Sequence, residues 1–218
     1  EGTTFYAFDA ADGSKRWDFD AKGGANAAPA VADGTVFVHS TGGTAHGHDS
    51  DTLHALDASD GRVRWSNRVA VGGSAAPVVS GNSVLLGDEA GNVYAFRKRT
   101  GKEGWRYDAG AAIDTQPVVA NGVVYCGTAG SEVIALDAST GTERWRFATN
   151  DETTGVATDG DVVYVGSYDA HLYGVDADSG ERSWRVKLGG SVRSPIVVGD
   201  SVYVGSGNGD LYALGHGG

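Results

Sequence analysis

One eleven-residue unit recurs through this sequence and constrains its fold more than any other feature. It reads A-L-D-A-S-T-G-T-E-R-W at Ala135–Trp145, and variants stand at Ala7–Trp17, Ala55–Trp65, Ala95–Trp105 and Gly174–Trp184. All five tryptophans, Trp17, Trp65, Trp105, Trp145 and Trp184, close a copy of the unit, at intervals of 48, 40, 40 and 39 residues. A sixth copy begins at Ala213-Leu214. In each copy an apolar run ends, a turn closes on glycine (Gly13, Gly61, Gly101, Gly141, Gly180), and a second strand carries the tryptophan. An aspartate opening such a turn accepts backbone N–H bonds two or three residues on, and the glycine supplies a positive φ. An indole at a fixed place in every copy reads as a packing anchor with one N–H to satisfy. A period of about 40 residues marks a repeat architecture, in which no single repeat buries its own faces.

Each repeat holds four short apolar runs. In the third full repeat these are Pro117-Val118-Val119, Val123–Gly127, Val133–Leu136 and Arg144–Phe147. The first two runs of each repeat are joined by Asp33-Gly34, Gly81-Asn82, Asn121-Gly122, Asp159-Gly160 and Gly199-Asp200. Such pairs suit the two-residue turns of antiparallel hairpins, which argues against a solenoid of parallel rungs. Middle runs such as Val162–Val165 and Val202–Val204 are continuously apolar, as in a sheet packed on both faces. The expected fold is all-β: a β-propeller of four-stranded antiparallel blades, one domain over residues 1–218 with an insertion at about 40–52. First strands and tryptophan-bearing fourth strands each number five, and third strands stand at both ends, Thr4–Asp9 and Asp210–Leu214. That count predicts five blades closed by strands from both termini, the N-terminal hairpin completing the last blade.

Composition narrows the partners. The net charge is −11, with 21 Asp, 7 Glu, 12 Arg and 5 Lys. A negative surface repels phosphate backbones, so nucleic acid is not an expected partner. Abundant Asp with scarce Lys resembles proteins of salt-loving archaea, a halophilic reading in which high salt screens the self-repulsion. No apolar stretch reaches the length of a membrane span. The single cysteine, Cys126, lies in an apolar run and reads as a small buried residue. The chain begins at Glu1 without a signal-type segment, as expected of a processed secreted form or an excised domain.

The pattern A-x-D-x-x-T-G-x-x-x-W resembles the tryptophan-docking motif of quinoprotein-type propellers, the pyrroloquinoline-quinone-like repeat family. A proline before the first strand, at Pro29, Pro77, Pro117 and Pro195, fits as well, and the likeness spans essentially the whole chain. The resemblance implies that each tryptophan packs against the neighbouring blade and staples the ring. Three departures, Arg97 for Asp, Thr154-Gly155 for the residue-plus-Pro pair, and Gly174 for the leading Ala, predict less regular blades.

The same resemblance implies two functional branches, quinone-dependent dehydrogenases and non-catalytic propellers of cell surfaces. The dehydrogenase branch implies eight blades, often an adjacent cysteine pair, and Ca²⁺ held by Glu, Asn and Asp; this chain has about five repeats and one cysteine. The regular Asp9, Asp57, Asp137 and Asp176 read as turn formers. The His39–His54 insertion holds candidate metal ligands, His46, His48, Asp49 and Asp51, since imidazole and carboxylate suit Zn²⁺ or Cu²⁺. The simpler reading is a solvated loop, with His39 and His54 packed on strands and His171 and His216 in a loop and the tail. Connectors into the first strands carry Asp114, Glu152 and Arg193, which a propeller would bring toward the mouth of its channel. The reading is therefore a non-catalytic binding or scaffolding propeller without cofactor. It is expected outside the cell or on its surface, with a lipid anchor as one means of attachment, and it engages a protein partner that the residues do not name. The alternative is a quinone- or metal-dependent oxidoreductase.

Overall fold

The computed structural model describes residues 4–25, 27–42, 51–69, 75–113 and 115–215. Every regular element among them is a β-strand. The candidate insertion residues His46, His48 and Asp49, the connector residue Asp114 and the tail residue His216 lie outside the described residues. The chain forms two compact units, Glu1–Asp108 and Ala109–Gly218.

The first unit opens with a hairpin of β1 (Thr4–Phe8) and β2 (Lys15–Asp20), a sheet of two strands. Two four-stranded antiparallel sheets follow. One holds β3 (Ala30–Ala32), β4 (Thr35–Ser40), β5 (Asp51–Asp57) and β6 (Val63–Val69) in chain order. The other holds β7 (Val78–Ser80), β8 (Ser83–Gly87), β9 (Asn92–Arg97) and β10 (Glu103–Asp108). Each is a meander, because every strand pairs with its sequence neighbours. The core between these two sheets is Phe37, Leu53 and Ala55 against Val84, Leu86, Tyr94 and Phe96.

The second unit repeats the plan. Its four-stranded sheets are β11 (Val118–Ala120) to β14 (Glu143–Ala148), through β12 (Val123–Thr128) and β13 (Glu132–Asp137), and β15 (Thr153–Thr158) to β18 (Arg182–Lys187), through β16 (Val162–Ser167) and β17 (His171–Asp176). A three-stranded sheet of β19 (Ile196–Val198), β20 (Ser201–Gly205) and β21 (Leu211–Gly215) ends it. Here the expected closure differs. The third place in the last sheet is taken by β21, and the N-terminal hairpin forms its own two-stranded sheet. The pairing of Val202 with Leu214 is local, and a short turn closes it at less entropic cost than a return from the far end of the chain.

The burial pattern explains the apolar middle runs. Every residue of β12 is buried, and the inner residues of β13 and β17 are too. Tryptophan-bearing strands alternate instead, as in β14, where Trp145 is buried between exposed Arg144 and Arg146. Cys126 is fully buried in β12, and burial pushes its thiol up to about 12, so it packs as an inert small side chain.

The Thr154-Gly155 departure brings the expected irregularity, a register shift between Thr153 and Gly155 in the pairing of β15 with β16 that the other first strands lack. The turn after β9 keeps its backbone bonds although Arg97 replaces the aspartate, with Gly101 N–H donating to Arg97 O at 2.8 Å. Gly155 lies where a Cβ would stand 2.8 Å from Ser194 Cα, so that close approach requires glycine. Gly174 has the same kind of reason, given below with Trp184.

Candidate functional site

The motif turns are built alike. Asp57 Oδ1 accepts the Ser59 N–H at 2.8 Å, and Asp57 Oδ2 accepts from Arg64 at 2.7 Å. Asp137 does the same with Ser139 at 3.0 Å and Arg144 at 2.8 Å. The hydroxyl of Ser59 or Ser139, then the arginine, holds each carboxyl well below its ordinary range. These aspartates are turn formers whose lone pairs are already engaged.

Three tryptophans dock on the turn of the following sheet. The indole N–H donates to Ala58 O from Trp17 at 2.9 Å, to Lys98 O from Trp65 at 3.0 Å and to Ala177 O from Trp145 at 2.9 Å. The ring lies against the motif glycine of that same turn. A Cβ would stand 2.8 Å from Trp17 at Gly61, 2.8 Å from Trp65 at Gly101 and 2.6 Å from Trp145 at Gly180. Those glycines also have positive φ, near 70° in each case. Gly13 and Gly141 share that backbone, and Trp105 is half-buried.

Trp184 departs from the expected staple. It is 36% exposed and lies over Gly174, its cross-strand partner in β17, where a Cβ would stand within van der Waals overlap. The indole covers its own sheet, and the glycine at 174, where the other copies have alanine, makes room for it.

The insertion flanks hold a buried polar pair rather than a solvated one. His39 in β4 and Asp51 in β5 are each 1% exposed, with Nε2 of His39 3.5 Å from Asp51 Oδ2. Asp51 Oδ1 accepts the Gly42 N–H at 3.0 Å. Asp51 thus belongs to a strand, not to the loop in which it was expected as a metal ligand. His54 lies between Ser40 Oγ at 3.1 Å and Ser66 Oγ at 2.9 Å. Among the described residues no group of three or more metal-binding side chains is found. His171 opens β17 rather than occupying a loop.

Two of the three connector residues share a cleft in the second unit. Glu152 and Arg193 line one cleft of about 360 Å³ with Thr115, Thr153, Thr154, Tyr168 and Ser194. Its floor is tied by hydroxyl-to-carbonyl bonds. Thr115 Oγ1 donates to Gly127 O at 3.1 Å, Thr153 Oγ1 to Thr128 O at 3.1 Å, and Ser194 Oγ to Thr154 O at 2.9 Å. The Glu152 carbonyl accepts the Tyr168 N–H at 3.0 Å. The backbone is fixed while the functional ends stay open. Tyr168 is 46% exposed, and neither the Glu152 carboxylate nor the Arg193 guanidinium has an ion-pair partner among the described residues. Sequence reasoning missed Tyr168. Its signal was positional, since the same place holds Thr41, Glu89, Ala129 and Gly207 in the other repeats, so one aromatic stands alone.

Four-stranded meanders repeated along the chain, each middle strand buried on both faces, define a β-propeller of the quinoprotein-like repeat class. The chain belongs to the family described as outer membrane protein assembly factor BamB, whose model matches residues 1–111 and 89–216. A search of curated proteins finds no match. The fold is similar to BamB from Moraxella catarrhalis, with a TM-score of 0.78 at 23% identity over 98% of this chain. This chain spans 65% of that protein's length. It is similar to the computationally designed Ika8 protein, with a TM-score of 0.81 at 17% identity over 98% of this chain and 65% of that one. Quinohemoprotein alcohol dehydrogenase from Comamonas testosteroni gives a TM-score of 0.69 at 18% identity, over 89% of this chain and 42% of the enzyme.

Proposed function

We propose that this chain is a non-catalytic scaffold of the cell envelope that holds a protein partner through the cleft at Glu152, Tyr168 and Arg193. The family description, an outer membrane assembly factor, supports the setting and the class of activity. The observation that carries the reading is the contrast within the cleft. Connector backbones are fixed by hydroxyl bonds, whereas an aromatic face and two opposite charges, without ion-pair partners among the described residues, stay open to solvent. Rigid elements presenting exposed loop residues are how a scaffold makes contacts, and tyrosine and arginine are enriched where such contacts concentrate binding energy.

The test is retention of envelope proteins on the immobilised chain, compared with a Tyr168→Ala/Arg193→Ala variant. A defined protein is expected on the wild type and should fall by roughly 10-fold or more on the variant, the loss typical of truncating anchor residues. Equal retention on both, or none on either, would overturn the cleft or the scaffold reading respectively. A quinone-like absorption band after soaking with pyrroloquinoline quinone and Ca²⁺ would point to oxidoreductase chemistry instead.

A further inference from the structure

The third motif copy inverts the charge of its turn. At the aspartate and the two residues after it, the copies read Asp9-Ala10-Ala11, Asp57-Ala58-Ser59, Arg97-Lys98-Arg99, Asp137-Ala138-Ser139 and Asp176-Ala177-Asp178. Three successive positions are cations in a chain of net charge −11. The turn does not require them. Arg97 N–H donates to Lys102 O at 2.8 Å and Gly101 N–H to Arg97 O at 2.8 Å, as Asp57 does with Arg62 at 2.7 Å and Gly61 with Asp57 at 2.8 Å.

The joint between neighbouring sheets does not require them either. In the first unit Lys98 Nζ bridges Asp33 Oδ2 at 2.6 Å and Gly81 O at 2.8 Å. In the second unit the neutral Asn121 Nδ2 makes the corresponding link to Gly160 O at 3.2 Å, and alanine stands in the place of Lys98. The matching places are fixed by the backbone, since Lys98 N–H donates to Asn82 O as Ala177 N–H does to Asp161 O.

The cations share a cleft. Lys98 and Arg99, with Arg64, Asn82, Thr35 and Asp33, line an open space of about 350 Å³. Arg64 is held in place by Thr35 at 2.5 Å and Asp57 at 2.7 Å. Arg99 and Arg97 are exposed and have no ion-pair partner among the described residues. At the matching positions of the second unit, Asn82, Lys98 and Arg99 become Asp161, Ala177 and Asp178. One scaffold thus carries Lys98 and Arg99 in one unit and Ala177 and Asp178 at the same places in the other, while the arginine at Arg64 is kept as Arg144.

We propose that the cleft at Arg64, Lys98 and Arg99 docks an acidic segment of a partner protein, whose Asp or Glu carboxylates seat on these cations. Carboxylates pair with the planar arginine fork through two parallel bonds. Several cations spread over an open cleft suit charges spaced along a chain better than one small ion. In a chain of net charge −11 such a cluster of cations also helps orient an acidic partner. This rests on the scaffold reading, since it names the chemistry of the partner.

The experiment titrates the full chain with a fluorescein-labelled ten-residue glutamate peptide at low salt, reading anisotropy. The variant is Arg97→Asp/Lys98→Ala/Arg99→Ser, which installs the Asp-Ala-Ser found in two other copies and so preserves a turn this fold already makes. Arg99→Ser alone serves as a second variant. Wild type is expected to bind, weakening as salt rises, and the triple variant to bind roughly 10-fold or more weakly, as three cations at or beside the cleft are removed and a carboxylate is added. Absence of binding by wild type, or equal affinity in the variant, overturns the proposal. So does binding of pyrophosphate, or of phosphatidylglycerol vesicles, with the same variant dependence and no binding of the peptide. The peptide is synthetic, so this result is independent of whether an envelope protein is retained at the Glu152–Arg193 cleft.

Discussion

Trp145 and Trp184 show how one residue type in one motif takes two roles. Both close the same eleven-residue unit, yet one is 8% exposed and the other 36%. Trp145 donates to Ala177 O and lies against Gly180, whereas Trp184 rests on Gly174 of its own sheet. Trp145→Ala is expected to destabilise the protein by about 3–5 kcal/mol, the cost of emptying an aromatic site in a core. Trp184→Ala removes partly solvated area and is expected to cost under about 2 kcal/mol. Urea unfolding of the two variants checks this, and equal losses would contradict the assignment of separate roles.

At the scale of elements, the pairing of β4 with β5 brings two histidines into a packed sheet. Burial lowers His39 even though Asp51 and Asp88 pull the other way, and burial, aided by the nearby His39, lowers His54 to about 4 from an ordinary value of 6.5. The groups facing His54 are the hydroxyls of Ser40 and Ser66, which offer it no counter-charge. A base with a depressed folded pKa is neutral in the fold and takes up a proton more readily when unfolded. Its contribution is complete above pH 6.5 and is lost as the pH falls toward 4. The motif aspartates are also held low, but they begin to titrate only near their ordinary value of 3.8. The urea midpoint is therefore expected to drop from about pH 7 to about pH 5, and His54→Gln to flatten that slope. A midpoint unchanged between those pH values would show that neither histidine is buried as described.

On the scale of the whole molecule, each unit has its own apolar core, and stability should vary along the chain as in other repeat proteins. The buried middle strands β12, β13, β16 and β17 are expected to exchange their amide hydrogens slowest. The short first strands β3, β7, β11 and β19 and the last strand β21, where Leu211 is 76% exposed, should exchange fastest. Hydrogen-exchange mass spectrometry reads this directly, and uniform protection across the sheets would contradict it.

Much of this protein follows from its sequence because the controlling interactions are local. A strand, a two-residue turn and a glycine at positive φ are decided within a few residues, so the repeat period, the meander and the motif turns were all legible. The Arg97 copy was legible as an oddity of charge. Its meaning was not, because the cleft joins Arg64 of one sheet to Arg99 of the next. The same holds for Glu152, Tyr168 and Arg193, which are brought together by three separate connections, and for Asp51, whose burial depends on pairing with β4 and β6. Where Trp184 rests depends on the room that Gly174 leaves on the paired strand. Local chemistry sets conformation along the chain, while long-range packing alone sets which side chains share a space and which remain open to a partner.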